Sequence, residues 1–302
     1  MQRDATIVVT GATGQVGRAV ATALADEHHV IAAARFGDAA VRAELEAAGV
    51  VCVPVDLAAG ALDALPDAPT YVVHLAVAKT GDWRADLDAN AQGLGRLLAH
   101  CRGARSALVC STTGVYADTG AEPYAEDAPL GDNHGTSPYL PTYSISKIAA
   151  EEVARLSATL WDLPVTIARL NVPYGDTGGW PAIMLDLARA GIPTEVPIGG
   201  DARYAPIHTD DVCAMVGPLL DAATVPGTVV NWGGPDVVSV RAWTDYLTER
   251  TGVEIPLVET ATAIPSVVPD LTRQRALVGE AQVRWRDGFD RMLAARFPDL
   301  VR

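Results

Sequence analysis

The first half of the chain alternates short, continuous apolar runs with longer segments in which apolar residues recur every three or four positions. Apolar runs of this kind predict buried strands, and the longer segments predict helices packed against them. Strands are predicted at residues 5–10, 30–34, 50–55, 71–76, 107–111 and 165–170, and helices at 14–25, 39–48, 83–101 and 143–160. Strand–helix–strand units cross over right-handed, so the pattern predicts an α/β fold with a doubly wound parallel sheet.

The pattern changes in the second half. Residues 117–141 are rich in Gly, Pro, Asp and Asn, which is typical of a long functional loop. Further along, short helices are predicted among Pro- and Gly-containing loops, at 181–190, 211–220 and 240–251. We therefore expect residues 1–170 to form the main domain, to which late strands return, and residues 171–302 to form a smaller, mostly helical lobe interleaved with it.

The composition narrows the possible partners. The 302 residues are 49% hydrophobic and 20% charged, enough to build a sizeable core. The net charge of −14 argues against nucleic acid or an anionic membrane as a partner. No apolar run approaches the roughly 18 residues that span a membrane, and the N-terminus has no signal-peptide pattern, so we expect a cytoplasmic protein. The four cysteines lack metal-ligand spacing, so no metal site is expected. Only Lys79 and Lys147 are lysines.

A glycine-rich turn follows the first predicted strand, in the sequence Thr10-Gly-Ala-Thr-Gly-Gln-Val-Gly17. Gly11 permits a tight turn, Gly14 lets a pyrophosphate approach the backbone, and Gly17 lets the helix pack closely on the strand. The start of the helix then offers free N–H groups and a positive dipole end to a phosphate. The glycine spacing is one residue longer than in the common fingerprint, but its strand–turn–helix context predicts a dinucleotide site in a Rossmann-type sheet.

The end of the second strand indicates which dinucleotide is bound. An NAD site usually carries Asp or Glu about 20 residues after the glycines, where it binds the ribose 2′-hydroxyl. Here Ala34 takes that place and Arg35 follows it. Without a carboxylate to repel it, a 2′-phosphate can be bound by the guanidinium. We expect NADP(H) to be preferred, with NAD(H) possible; the alternative is an arginine that merely covers the sheet edge.

Tyr143 and Lys147 are four positions apart, on one face of a predicted helix. A phenol ordinarily has a pKa near 10, which a nearby ammonium and an oxidised nicotinamide would lower. Ser111, Thr112 and Thr113 end the strand before the long loop, at the edge where open α/β sheets bind ligands. A hydroxyl there can hold a substrate oxygen or simply bond to its neighbours.

Together these motifs resemble the extended short-chain dehydrogenase/reductase family, also called the NAD-dependent epimerase/dehydratase family. The remaining matching segments are Asp56-Leu57, His74-Leu-Ala76, Asn90-Ala-Gln-Gly93, Ser111-Thr-Thr-Gly-Val-Tyr116, Arg169-x-x-x-x-Tyr174-Gly175, His208-Thr-Asp-Asp211, and Val229–Gly234 with Val238-Ser-Val240. The resemblance implies that Tyr143 is the catalytic acid/base, with Thr112 as the catalytic hydroxyl and Lys147 on the nicotinamide ribose. It implies cofactor contacts from Gly11, Thr13, Gly14, Gln15, Val16, Gly17, Arg35, Asp56, Leu57, Ala76, Asn90 and Lys147.

Departures from the family pattern narrow the reaction. Sugar dehydratases carry Asp-Glu after the catalytic hydroxyl, whereas this chain has Thr113 and Gly114, so a dehydratase is not expected. The family asparagine beside the substrate phosphates is shifted to Asn171, and the arginine that grips a diphosphate is replaced by Tyr204, with Arg203 one place earlier. Either the loops are rephased, or the site does not hold a nucleoside diphosphate. The expected substrate contacts are Thr112, Thr113, Tyr143, Asn171 and Arg203.

The expected reaction is reversible reduction of a carbonyl to a secondary alcohol on a small or sugar-like metabolite. Hydride goes to the carbonyl carbon while Tyr143 donates the proton and Thr112 polarises the oxygen. Two alternatives are a nucleotide-sugar epimerase that retains NAD(H) and, from another class, a non-catalytic dinucleotide-binding sensor. A homodimer through the helices near 83–101 and 143–160 is possible, as is common in the family.

Overall fold

A computed structural model describes residues 1–120, 122–200 and 202–301. Its strands are β1 (Thr6–Thr10), β2 (His29–Ala34), β3 (Val51–Pro54), β4 (Tyr71–His74), β5 (Ser106–Thr112), β6 (Val165–Leu170), β7 (Pro173–Gly175), β8 (Gly178–Gly179), β9 (Thr194–Pro197), β10 (Arg203–Tyr204), β11 (Ile207–His208), β12 (Thr228–Trp232), β13 (Val238–Ser239) and β14 (Leu257–Thr260). Its α-helices are α1 (Gln15–Ala25), α2 (Ala39–Ala47), α3 (Trp83–Leu87), α4 (Gly93–His100), α5 (Tyr143–Trp161), α6 (Trp180–Arg189), α7 (Thr209–Asp221), α8 (Val240–Thr251), α9 (Thr272–Leu277) and α10 (Trp285–Arg296).

The main sheet has seven strands in the order β12-β6-β5-β4-β1-β2-β3, and every neighbouring pair is parallel. This is the doubly wound, Rossmann-type sheet that the sequence predicts. The order reverses between β1 and β4, and in such sheets ligands bind at the carboxyl edge beside that reversal. The residues that end β1, β4 and β5 therefore share one edge with the turns that follow them.

Both faces of the sheet are covered, which explains why its strands are apolar throughout. On one face, Ile7 and Val9 pack in a buried cluster with residues of α1 and α7. On the other face, Val8 and Val72 pack with residues of α4 and α5. Successive residues of β1 thus point to opposite faces and are buried on each.

The chain beyond β6 builds a third buried cluster around Tyr174, Trp243 and Phe289, to which α6, α8 and α10 contribute. This lobe also holds short sheets that pair β10 with β13, β7 with β8 and β11, and β9 with β14. β12 leaves the lobe and joins the edge of the main sheet beside β6, so the two halves are interleaved. The division of the chain at residue 170 stays a prediction.

The predicted helix at 83–101 is divided into α3, a π-helical turn at Asp88–Gln92, and α4. The π-turn lies where Asn90 is buried and bonds to a neighbouring loop. A π-turn inside an α-helix is uncommon and is frequent at functional sites. Among the helices formed by the described residues, none is long and apolar enough to span a bilayer.

Candidate active site

The glycine turn after β1 forms an open cradle at the start of α1. Gly11 has φ +72°, and a Cβ there would overlap the backbone of Ala76. A Cβ at Gly17 would overlap the Gly11 carbonyl, so close packing requires glycine at both positions. No side chain caps α1, and Thr13 and Gly14 are exposed. The first N–H groups of α1 are therefore available to a phosphate, which fits a dinucleotide.

The other predicted cofactor residues follow β2 and β3 at the same edge of the sheet. Thr10, at the end of β1, pairs with Ala33 of β2. Arg35, two residues beyond Ala33, is therefore level with the glycine turn that follows Thr10. Arg35 is exposed, and no carboxylate in the described part of the chain lies within 4 Å of its guanidinium. Asp56 follows β3, and its carboxylate accepts hydrogen bonds from Ala58 N at 3.0 Å and from Ala59 N at 3.4 Å.

The side chains of Gln15 and Leu57 make contacts with other residues of the protein. The Gln15 amide donates to the Gly178 carbonyl at 2.9 Å, which ties the glycine turn to the lobe. Leu57 packs against the core and lies close to Gly93. A Cβ added at Gly93 would lie 3.1 Å from the Leu57 Cβ. The cofactor roles of these residues, and of Val16 and Ala76, stay predictions.

Thr112, Tyr143 and Lys147 come together where β5 ends and α5 begins. Thr112 is the last residue of β5 and Tyr143 the first residue of α5. The Thr112 hydroxyl acts on the phenol of Tyr143 in the direction that favours its ionised form, and Thr112 Oγ1 accepts a hydrogen bond from Gly114 N at 3.1 Å. Lys147, one turn along α5, is buried and donates from Nζ to the Cys110 carbonyl at 2.6 Å. The predicted Thr–Tyr–Lys set thus occupies one place.

The electrostatics of Tyr143 differ from the expectation of a lowered pKa. Burial raises the pKa of Tyr143 to about 12, and the hydrogen bond with Thr112 acts in the opposite direction without overcoming it. Burial also lowers the pKa of Lys147, whose ammonium is bound to the Cys110 carbonyl. In this arrangement desolvation is the largest effect on Tyr143, so the phenol keeps its proton at neutral pH.

The second lysine of the chain also lies at this site, which the sequence analysis did not predict. Lys79 Nζ stands 5.1 Å from the centre of the Tyr143 ring, in cation–π geometry. Burial lowers the pKa of Lys79. Both lysines among 302 residues therefore flank Tyr143. The scarcity of lysine is the one signal in the sequence that could have drawn attention to Lys79.

His134 is a further neighbour that sequence reasoning missed. Its ring meets the Tyr143 ring edge-on, with centroids 5.2 Å apart and an interplanar angle of 84°. Ser144 Oγ donates to the Gly114 carbonyl at 2.6 Å and lies 2.8 Å from His134 Nδ1. Nδ1 must then donate to Ser144, which leaves Nε2 as an acceptor. Burial lowers the pKa of His134 to about 4, and the charge of Lys79 adds to the effect.

Gly114 stands where sugar dehydratases carry glutamate, and the structure gives a packing reason for the glycine. A Cβ at Gly114 would overlap the His134 ring. The His134 imidazole therefore occupies the space that a side chain at position 114 would need. No periodicity marks His134, because it lies in the long loop before α5.

Asn90 holds the approach to the site together. Its side-chain oxygen accepts from Ala78 N at 2.7 Å, and its amide donates to the Ala78 carbonyl at 2.9 Å and to Ser146 Oγ at 3.1 Å. These bonds tie the loop that carries Lys79 to α5. A cofactor contact from Asn90 stays a prediction.

Asn171 is likewise buried and engaged. Its amide donates to Thr113 Oγ1 at 2.7 Å and to the Val267 carbonyl at 3.1 Å, and its oxygen accepts from Ala205 N at 2.8 Å. The side chain therefore fixes Thr113 and two loops of the lobe. Val172, the next residue, has φ +32°, which is strained for a β-branched residue. A substrate contact from Asn171 or Thr113 stays a prediction.

Arg203 lines a cavity of about 570 Å³ together with residues of α9 and of the loop before α5. Its guanidinium forms an ion pair with Glu122, whose carboxylate also accepts a hydrogen bond from Ser266. Its expected role as a substrate contact stays a prediction, and such a role would require this ion pair to be shared or broken.

A family model described as the NAD dependent epimerase/dehydratase family matches residues 7–233. The chain belongs to this family. It is therefore an oxidoreductase of the extended short-chain dehydrogenase/reductase type, and the family identifies its cofactor class as a nicotinamide dinucleotide. The assignment agrees with the glycine cradle and with the Tyr143–Lys147 pair.

Three individual proteins show what this chain is similar to. It is 28% identical over 237 residues to 2′-dehydrokanamycin reductase from Streptomyces kanamyceticus, covering 74% of this chain but only 60% of that protein. UDP-glucuronic acid 4-epimerase from Bacillus cereus, solved with UDP-glucuronic acid and NAD, superposes with a TM-score of 0.82 at 19% identity, over 96% of this chain and 98% of that one. dTDP-glucose 4,6-dehydratase from Streptomyces venezuelae, solved with NAD, gives 0.80 at 22% identity, over 96% of each chain. At these identities the two structures show a shared fold.

Proposed function

We propose that this protein is a reductase that prefers NADP(H) and interconverts a carbonyl and a secondary alcohol on a small or sugar-like metabolite. The observation that carries the proposal is the convergence of Thr112, Tyr143 and Lys147 at the sheet edge that also carries the glycine turn. The reductase from Streptomyces kanamyceticus supports the direction of the reaction. That relative is longer than the region matched, so its substrate is not carried over.

Tyr143, Thr112 and Lys147 have different roles in the proposed reaction. When bound, the nicotinamide supplies or accepts the hydride. Tyr143 is protonated at neutral pH, because burial raises its pKa to about 12, and it donates that proton to the carbonyl oxygen during reduction. The Thr112 hydroxyl, which acts on the phenol, orients the same oxygen. Lys147 uses one N–H on the Cys110 carbonyl and has others with which to hold the ribose.

The NADP preference rests on Arg35. Its guanidinium is exposed beside the glycine turn and has no carboxylate within 4 Å among the described residues. We expect Arg35→Ala to weaken NADPH binding by about tenfold or more while NADH binding changes less than about twofold, since a charge-assisted bidentate contact contributes roughly 1.5–3 kcal/mol. Fluorescence titration measures both affinities. Arg84→Ala, at an exposed arginine on α3, is the control. Equal affinities of the unchanged protein for NADPH and NADH would overturn the preference.

Tyr143→Phe tests the acid/base assignment. The variant should bind NADPH normally and lose turnover of small ketones or keto sugars by about 10²–10⁴-fold, the usual contribution of a positioned acid. Absorbance at 340 nm follows NADPH oxidation. A Tyr143→Phe variant that reduces any substrate of the unchanged protein at the original rate would refute the assignment.

Two alternatives give different results in the same experiments. A nucleotide-sugar epimerase would purify with NAD(H) bound and would need none added, which absorbance of the denatured supernatant detects. The ion pair of Arg203 with Glu122 makes a diphosphate at that arginine less favourable. A non-catalytic sensor would bind the dinucleotide and turn over no compound, whether or not Tyr143 is present.

A further inference from the structure

A second cavity, of about 440 Å³, is lined by residues that neighbour the candidate active site in sequence. Asn133 lines it and directly precedes His134, whose ring contacts Tyr143. Asp118, on another wall, lies just beyond the segment in which Thr112 ends β5. One wall of this cavity is therefore one residue along the chain from a ring that contacts Tyr143.

The walls of this cavity are negatively charged. Asp118 and Asp132 line it, and within the described ranges no Lys, Arg or His does. Neither carboxylate has a cationic partner within 4 Å in the part of the chain that the structure describes. Behind the wall residue Thr260, Glu195 adds a further negative charge and accepts from Thr260 Oγ1 at 3.0 Å. Carboxylates gathered on a concave surface concentrate a negative potential there.

An unpaired polar group in the same wall points to a ligand. The Asn133 side chain is only 4% exposed, and its oxygen has no hydrogen-bond partner among the described residues. A buried acceptor left without a donor is unfavourable, so a donor on a bound molecule would relieve that cost. The cavity thus presents acceptors and negative charge together.

We propose that this cavity binds the cationic part of the substrate, a protonated amine on a sugar-like ring. Asp118 and Asp132 face the ammonium, and the Asn133 oxygen accepts an N–H or O–H of the same ring. The inference rests on the proposed function, because the amine belongs to the molecule whose carbonyl or alcohol lies at Tyr143. The same walls repel a nucleoside diphosphate, which carries negative charge where this cavity offers no cation.

Binding to the protein saturated with NADPH tests the proposal. The probes are a methyl glycoside of glucosamine and its N-acetyl derivative, which share a ring but differ in charge. Calorimetry, supported by saturation-transfer NMR for weak binding, should show the amine binding about tenfold more tightly at low salt. The difference should shrink as salt is raised, because the carboxylates are solvent-accessible. Equal binding of the two probes, or no detectable binding of the amine, overturns the proposal.

Variants locate the effect. The double substitution Asp118→Asn with Asp132→Asn should weaken binding of the amine about three- to tenfold and leave the acetamide unchanged, since exposed charge pairs contribute modestly. Asp127→Asn, in the same loop but outside the cavity lining, should change neither affinity. An amine affinity that Asp118→Asn with Asp132→Asn leaves intact would contradict the assignment to this cavity.

The two proposals fail in different ways. If Tyr143→Phe abolishes turnover but amine and acetamide bind equally, the inference about the cavity alone fails. If Tyr143→Phe leaves turnover intact while the amine is selected by Asp118 and Asp132, the proposed chemistry fails and the cavity remains a cation site.

Discussion

The buried ion pair between Glu151 and Arg169 fixes the helix that carries Tyr143. Glu151 lies two turns beyond Tyr143 on α5, and Arg169 lies on β6. Their side chains are 1% and 2% exposed and make two contacts, Nη2 to Oε2 at 2.7 Å and Nε to Oε1 at 2.9 Å. Ser111 Oγ also donates to the carboxylate at 2.6 Å. Glu151→Ala therefore leaves a buried guanidinium without its counter-charge.

The size of the effect follows from this burial. Removing one partner of a buried pair costs about 3–5 kcal/mol of the free energy of unfolding. Replacing both partners, as in Glu151→Leu with Arg169→Met, removes the desolvation cost of both charges and is often neutral. Here Ser111 and the Glu126 carbonyl, which accepts from Arg169 at 2.9 Å, lose a partner, at roughly 1–3 kcal/mol each. The double variant should therefore lose less stability than the losses of Glu151→Leu and Arg169→Met, measured singly, add up to.

Urea unfolding at pH 7, followed by circular dichroism, measures both values. Glu152→Ala is the matched control, because Glu152 is 65% exposed and its distance to Arg155 is 3.6 Å, so the loss should stay below about 1 kcal/mol. A cost for Glu151→Ala below about 1 kcal/mol would refute the reasoning. So would a double variant whose loss equals the sum of the two single losses.

Three further predictions concern the surroundings of Tyr143. A charge 5.1 Å from the ring contributes about 3 kcal/mol at an effective dielectric of about 20, so Lys79→Met should move the pH profile of alcohol oxidation upward by about 2 pH units. An unmoved profile would show that Lys79 does not act on the phenol. Burial lowers the pKa of His74 to about 3 and that of His134 to about 4, against an unfolded value near 6.5. Below that value the unfolded chain binds more protons than the folded one. The free energy of unfolding, measured with urea, should therefore be constant above about pH 6.5 and fall by about 1.4 kcal/mol per pH unit and per histidine between about pH 6.5 and 4. His134→Gln should remove about half of that slope, and an unchanged slope would contradict the prediction. Gly114→Ala should lower the free energy of unfolding by about 1–3 kcal/mol through overlap with the His134 ring, and should slow turnover. Adding His134→Ala to that variant should restore the stability. A fully stable Gly114→Ala variant would show that the ring moves freely.

The sequence alone determined the features that depend on short stretches of chain. Continuous apolar runs predicted a parallel sheet buried on both faces, because hydrophobic periodicity can be recognised from consecutive residues. The glycine turn and the Tyr143–Lys147 spacing were readable for the same reason, since a turn needs φ above zero at Gly11 and one helical turn separates residues four apart. The sequence also predicted that Thr112 ends a strand beside them.

Only the tertiary structure decided the contacts between distant segments. Lys79 and His134 reach Tyr143 from separate loops, and no local pattern encodes such a meeting. The direction of the Tyr143 pKa depended on the burial of the phenol, which outweighs the opposing effect of the Thr112 hydroxyl. The division of the helix near Asn90 likewise follows from bonds across the fold. Spacing along the chain determined which groups the site contains, and packing between segments determined their charge and their neighbours.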